Sequence, residues 1–287
     1  MDARTGKKIR LGRLFNQQSG KSLIVAYSHG VLMGPQPGMR TLADMRHFTQ
    51  RMAAADGLLV TPGALTHLED AFIGKQRPAL LIHLDYQSFN RTILPYPQGA
   101  TAALASIEEV VAAGADGVMT YLYIGYDDPA REKLEIERNA QVARACERWG
   151  VALMVEPRTA RERTHPEDDA NVALLALYCR IAAEIGADIV KCVHPGTTAG
   201  LAEVAASCPV PLLVAGGPKE ADPEVAYQRA RSAIEAGADG LVFGRNIYEA
   251  SDPAAELARF RQIIHQETKS ERANRRQQDG SKLFDRH

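Results

Sequence analysis

The chain has little of several things. Its 287 residues include four cysteines, one tryptophan and 6% aromatics in all, and the formal net charge is −1. Cys146, Cys179, Cys192 and Cys208 are scattered, with no Cys-x-x-Cys pair and no histidine cluster. That spacing argues against a zinc site and against a disulfide framework, so no metal is expected and the reducing cytoplasm is the expected setting. A charge so near zero argues against a nucleic acid or a membrane surface as the main partner. No apolar run approaches a membrane span, and Met1 to Arg10 lacks the apolar core of a signal peptide. No Gly-x-Gly-x-x-Gly turn follows the first apolar run, which weakens the case for an open, doubly wound nucleotide-binding sheet.

What is present is a regular alternation. Hydrophobic residues at 45% can fill a core, and they fall into eight short runs. The runs begin at Leu23, Leu58, Ala79, Gly117, Val151, Ile189, Val210 and Gly240, and Pro157 is expected to stop the fifth. Helical patterns separate most of them, and the residues before Leu23 read as a polar lead. Three Gly-Ala-Asp triplets, ending at Asp116, Asp188 and Asp239, stand where a helix gives way to a strand. A glycine there takes the left-handed conformation that ends a helix. Strands alternating with helices build parallel βαβ units, and about eight of them in a chain of this length predict an α/β fold, a single-domain (β/α)8 TIM barrel. The barrel is expected over residues 1–268. Residues 269–287 read as a polar tail, a helical extension or a disordered end.

The sixth run, Ile189-Val190-Lys191-Cys192-Val193, carries a lysine in a strand that is otherwise apolar on both faces. Burying an ammonium costs free energy, lowers its pKa and frees the amine as a nucleophile. The structural alternative is a lysine whose amine reaches water from the strand end. In a (β/α)8 barrel the reactive groups gather at the C-terminal ends of the strands. Those ends hold Ser28 and His29, Thr61, Asp85, Tyr121 and Tyr123, Glu156, Lys191, Gly216 and Gly217, and Gly244 and Arg245. Glycines after strands seven and eight let backbone N–H groups approach an oxyanion, and Arg245 adds a planar donor suited to phosphate. Glu156 is a candidate acid–base group or simply an ion-pair partner of Lys191 or Arg158, and Asp85 is a second carboxylate of the same kind. Ser28 and His29 could touch a substrate hydroxyl. The two tyrosines read as packing, and His194 as a loop residue.

Together these residues resemble a known family. The series Ala26-Tyr27-Ser28-His29-Gly30, Asp188-Ile189-Val190-Lys191, Ala215-Gly216-Gly217-Pro218 and Gly244-Arg245-Asn246 is similar to the DeoC/LacD-type class I aldolases, with the archaeal-type fructose-bisphosphate aldolases and the autoinducer-2 phosphate thiolase as the nearest branch. The resemblance implies that Lys191 forms a Schiff base with a phosphorylated keto compound. It implies that Gly216, Gly217, Gly244 and Arg245 hold the phosphate, that no cofactor is needed, and that the subunits form a homo-oligomeric ring. Two positions depart from the pattern. Ser28 stands where the family carries an aspartate, and Glu156 stands where the archaeal aldolases carry an acid–base tyrosine. Tagatose-bisphosphate aldolases, more distantly similar, use a glutamate on that strand. The expected activity is a Schiff-base aldolase. A coenzyme A-dependent thiolase and a sugar-phosphate-binding protein without catalysis are the alternatives.

Overall fold

The computed structural model describes residues 2–265, apart from residues 90, 92, 95, 97 and 98. Eight strands are paired in parallel: β1 Ser22–Ala26, β2 Gly57–Val60, β3 Ala79–His83, β4 Gly117–Ile124, β5 Ala152–Thr159, β6 Ile189–Cys192, β7 Leu212–Ala215 and β8 Gly240–Phe243. They close in sequence order, with β8 paired back onto β1, so the fold is the (β/α)8 barrel. The longer helices are α1 Ala3–Leu14, α2 Leu42–Gln50, α3 Pro62–Leu68, α4 Ile107–Ala112, α5 Pro129–Trp149, α6 Val172–Ile185, α7 Thr198–Ser207, α8 Pro223–Glu235 and α9 Pro253–His265. Single helical turns at Gly30–Met33 and Arg245–Tyr248 follow β1 and β8. No helix among the described residues is long and apolar enough to cross a membrane.

Strand alternation divides the apolar residues between two cores. Leu23, Val25, Leu153, Val155, Val190 and Cys192 face outward onto the helices, while Ile24, Leu59, Leu81, Met154, Ile189 and Leu213 fill the lumen. Helix α1, read from the sequence as a polar lead, plugs the N-terminal end of the barrel. Its pattern is hard to see because only Leu11 and Leu14 turn to the lumen core, while Ile9 stands exposed. Leu14 is fully buried there, and truncating such a residue to alanine costs about 2–5 kcal/mol.

The aspartates of the triplets have a structural task of their own. Each accepts the first ladder N–H of the preceding strand: Asp116 from Leu80 at 3.1 Å, Asp188 from Leu153 at 2.8 Å and Asp239 from Leu212 at 3.0 Å. Asp56 does the same for Leu23 at 2.7 Å. The preceding glycines Gly114, Gly186 and Gly237 all have positive φ, so the helix ends and the aspartate arrives at the strand edge within two residues. Lys7 pairs with Asp188, and Arg13 with Asp116, which ties α1 to the same ring.

Strand β5 does not stop at Pro157. The N–H of Leu153 points to the β6 side, so Pro157, four residues on, would present its donor to that side as well. Pairing with β6 ends at Val155, and no partner strand is left for the proline to fail. The strand therefore continues beside β4 to Thr159. A short antiparallel ribbon, Asp85–Gln87 with Thr101–Ala103, follows β3. The polar tail lies outside the described residues.

Replacing Asp239 by alanine leaves the buried N–H of Leu212 without an acceptor. The expected loss is about 1–3 kcal/mol, read as a lower urea midpoint at unchanged slope.

Candidate active site

Lys191 and Glu156 lie on neighbouring strands, and both point into the lumen above its apolar floor of Ile189 and Met154. They are 7% and 4% exposed, and Lys191 Nζ donates to Glu156 Oε2 at 2.5 Å. Above them opens a cavity of about 410 Å³, walled by Tyr121, Glu156, Arg158, Lys191, His194, Gly216, Gly217, Arg229, Gly244, Arg245 and His29. Its wall follows the ring order of the barrel. Going from β4 to β8 it presents Tyr121, then Glu156 and Arg158, then Lys191, then the two glycine loops.

The glycine loops are tight for packing reasons as well. A side chain on Gly216 would meet the Phe243 ring at 2.8 Å, and one on Gly244 would meet the Ala26 carbonyl at 2.5 Å. Gly216 spends its N–H on the Val242 carbonyl at 3.2 Å, whereas the N–H groups of Gly217 and Gly244 make no bond among the described residues. Asn246 holds the two loops together, donating to the carbonyls of Gly216 and Pro218 at 3.1 and 2.9 Å. Arg245 lines the cavity with no hydrogen bond or ion pair among the described residues, and its Nε is buried without an acceptor. Free amides and a guanidinium with no direct partner, Glu249 being the carboxylate that acts on it without contact, together suit an anion.

Two of the residues expected at the site stand elsewhere, and one read as packing joins it. Asp85 is fully buried and does not line the cavity; it accepts from Arg138 at 2.7 Å and from the Tyr121 N–H at 2.9 Å. Ser28 is bonded to His83 Nδ1 at 2.9 Å and faces a neighbouring pocket with Met39 and Thr61. Tyr121, read as packing, lines the cavity, while Tyr123 does stack on Phe89. Arg158 and Arg229 are additions. Arg158 follows Glu156 by two, so it shares that face once β5 is known to run on. Arg229 comes from α8, and no pattern in the sequence points it inward. No group of three His, Cys, Asp or Glu side chains among the described residues is placed to hold a metal ion.

The model of the DeoC/LacD family aldolases matches residues 22–250. The chain belongs to that family. A 2-amino-4,5-dihydroxy-6-oxo-7-(phosphonooxy)heptanoate synthase from Streptomyces griseus is 31% identical over 90% of both chains. A 3-hydroxy-5-phosphonooxypentane-2,4-dione thiolase from Yersinia pestis is 31% identical over 91% of this chain and 82% of its own. Among solved structures, a Schiff-base-forming fructose-1,6-bisphosphate aldolase superposes with a TM-score of 0.75 at 26% identity, over 90% of this chain and 99% of that one.

In this family member, burial sets the proton state of the cavity wall. It pushes the Tyr121 phenol well above its ordinary pKa, and Glu156 adds to the shift. His29, half-buried on the cavity wall, is lowered to about 3, by burial first and then by Arg245, Lys191 and His83. It is therefore neutral at working pH. Its unfolded value is near 6.5, so between pH 6.5 and 3 the unfolded chain binds the extra proton. Unfolding free energy should fall with acidification across that window, and His29→Gln should flatten the slope in denaturant titrations at stepped pH.

Proposed function

We propose that the protein is a class I aldolase that cleaves or forms a carbon–carbon bond in a phosphorylated keto compound through a Schiff base on Lys191. The observation that carries this reading is a buried lysine, hydrogen-bonded to one carboxylate, beside an anion pocket. Glu156 takes a proton from Lys191, and the free amine attacks the substrate carbonyl carbon. Glu156 returns that proton to the carbonyl oxygen, which leaves as water, so that an iminium remains and the carboxylate is free again. Glu156 then removes the proton of the hydroxyl two carbons away. The carbon–carbon bond breaks, an aldehyde departs, and the bonding pair moves into the iminium to give an enamine. Protonation of the enamine carbon and hydrolysis of the iminium return Lys191. The Gly217 and Gly244 amides and Arg245 hold the phosphate and so fix the carbonyl against the amine. Tyr121, kept protonated, is a donor to substrate oxygens.

The names of the relatives fit this assignment, since both act on or make compounds carrying a phosphonooxy group next to a keto carbon chain. The thiolase among them favours a second reading, in which the carbon fragment passes to the thiol of coenzyme A instead of leaving as an aldehyde. Product analysis with and without coenzyme A separates the two.

Incubation with a phosphorylated ketose and borohydride should add one reduced adduct to the peptide that contains Lys191. An unmodified peptide under turnover conditions would rule the Schiff base out and leave a protein that only binds sugar phosphates. Glu156→Gln should lower kcat by about 10²- to 10⁴-fold. Initial rates with the ketose varied would show this as a fall in kcat at a KM changed far less.

A further inference from the structure

Three arginines line the cavity, and their charges are not equally available. Arg245 has no carboxylate in hydrogen-bond or ion-pair contact among the described residues. Arg229 is spent on the Gly216 carbonyl at 2.8 Å and on Glu220 at 2.6 Å. Arg158 is held by two carboxylates, Glu162 on Nε at 2.7 Å and Asp169 on Nη2 at 3.1 Å. That last cluster carries one positive and two negative formal charges. Asp169 itself reaches the cavity wall, while Glu162 backs the guanidinium from inside.

The ring order places these charges on opposite sides of the lysine. Arg245, on which Glu249 acts without contact, and the free amides follow β7 and β8, whereas the cluster in which two carboxylates hold Arg158 extends from β5. A ketose with its phosphate at Arg245 and its carbonyl at Lys191 directs its remaining carbons toward Arg158 and Asp169. A phosphate at that far end would add a dianion to a site already one charge negative. Like charges in this half-buried wall repel a second phosphate, and because the Asp169 side chain is 42% exposed, salt weakens that repulsion.

We propose that the substrate carries a single phosphate, on the side of the keto group, and that Asp169 with Glu162 rejects a second phosphate on the aldehyde fragment. This rests on the aldolase reading above and specifies the substrate class for the same cavity. Arg158 keeps Nη1 unbonded among the described residues and remains a donor for an uncharged oxygen of that fragment.

The test compares fructose 1-phosphate with fructose 1,6-bisphosphate on the full chain at low ionic strength. The expected kcat/KM ratio favours the monophosphate by at least about tenfold. Asp169→Asn, and separately Glu162→Gln, should move the ratio toward the bisphosphate. Where a variant fails to fold, added salt should narrow the ratio for the unaltered protein. Equal or better use of the bisphosphate overturns the proposal, as does a ratio that neither substitution nor salt changes. Dissociation constants from calorimetry read the same preference without turnover. A protein that prefers the monophosphate yet forms no borohydride adduct at Lys191 upholds the charge selection and refutes the aldolase chemistry. Binding of neither ketose overturns both.

Discussion

Two opposite charges, Lys191 and Glu156, face each other at 2.5 Å in a lumen whose other layers are apolar. Neither could be buried alone, since an unpaired ion inside a protein costs several kcal/mol. Each makes the other tolerable, and the barrel geometry brings them together by placing β5 beside β6 in register. Much around the pair follows from it. Tyr121 is held protonated in part by the Glu156 carboxylate. His29 is held neutral in part by Lys191 and Arg245. The ion pair is thus flanked by a protonated phenol and a neutral imidazole.

The two ends of the barrel divide the work. At the N-terminal end four aspartates close the strand edges, helix α1 fills the opening, and cations from α1 and α9 answer the aspartates. Those contacts bear on stability. At the C-terminal end the Gly217 and Gly244 amides and the Arg245 guanidinium have no hydrogen-bond partner among the described residues. A second polar network runs beneath the cavity rim. Ser28 bonds His83, whose Nε2 stands 3.2 Å from Asp85, and Asp85 is paired with Arg138. Asp85 is thereby turned to supporting β4 through the Tyr121 N–H, away from the cavity. Ser28 faces the neighbouring pocket, and Glu156 is the carboxylate beside the lysine.

The alternation of strand and helix, the inward face of Lys191 and the glycine loops after β7 and β8 were all legible along the chain. Each depends on local rules: a period of two in a strand, a left-handed glycine ending a helix, a strand end in a barrel. Those rules do not reach across the fold. Helix α1 was hidden because a helix that plugs a barrel needs only one or two apolar residues. Strand β5 was read as ending at Pro157, because the harm a proline does depends on whether a neighbour waits for its N–H. Asp85 looked like Glu156 in sequence, and only the arrival of Arg138 from α5 separates them.

The sequence by itself determined the architecture and the strand face on which Lys191 stands, because both follow from periodic patterns confined to a few residues. The tertiary structure decided which charges are free. Arg245, Arg229 and Arg158 are the same residue type on the same cavity wall, yet Arg229 meets Glu220 and Arg158 meets Glu162 and Asp169, while Arg245 contacts no carboxylate among the described residues. Those partners stand on loops whose path no local rule sets, and charge compensation is a property of neighbours in space.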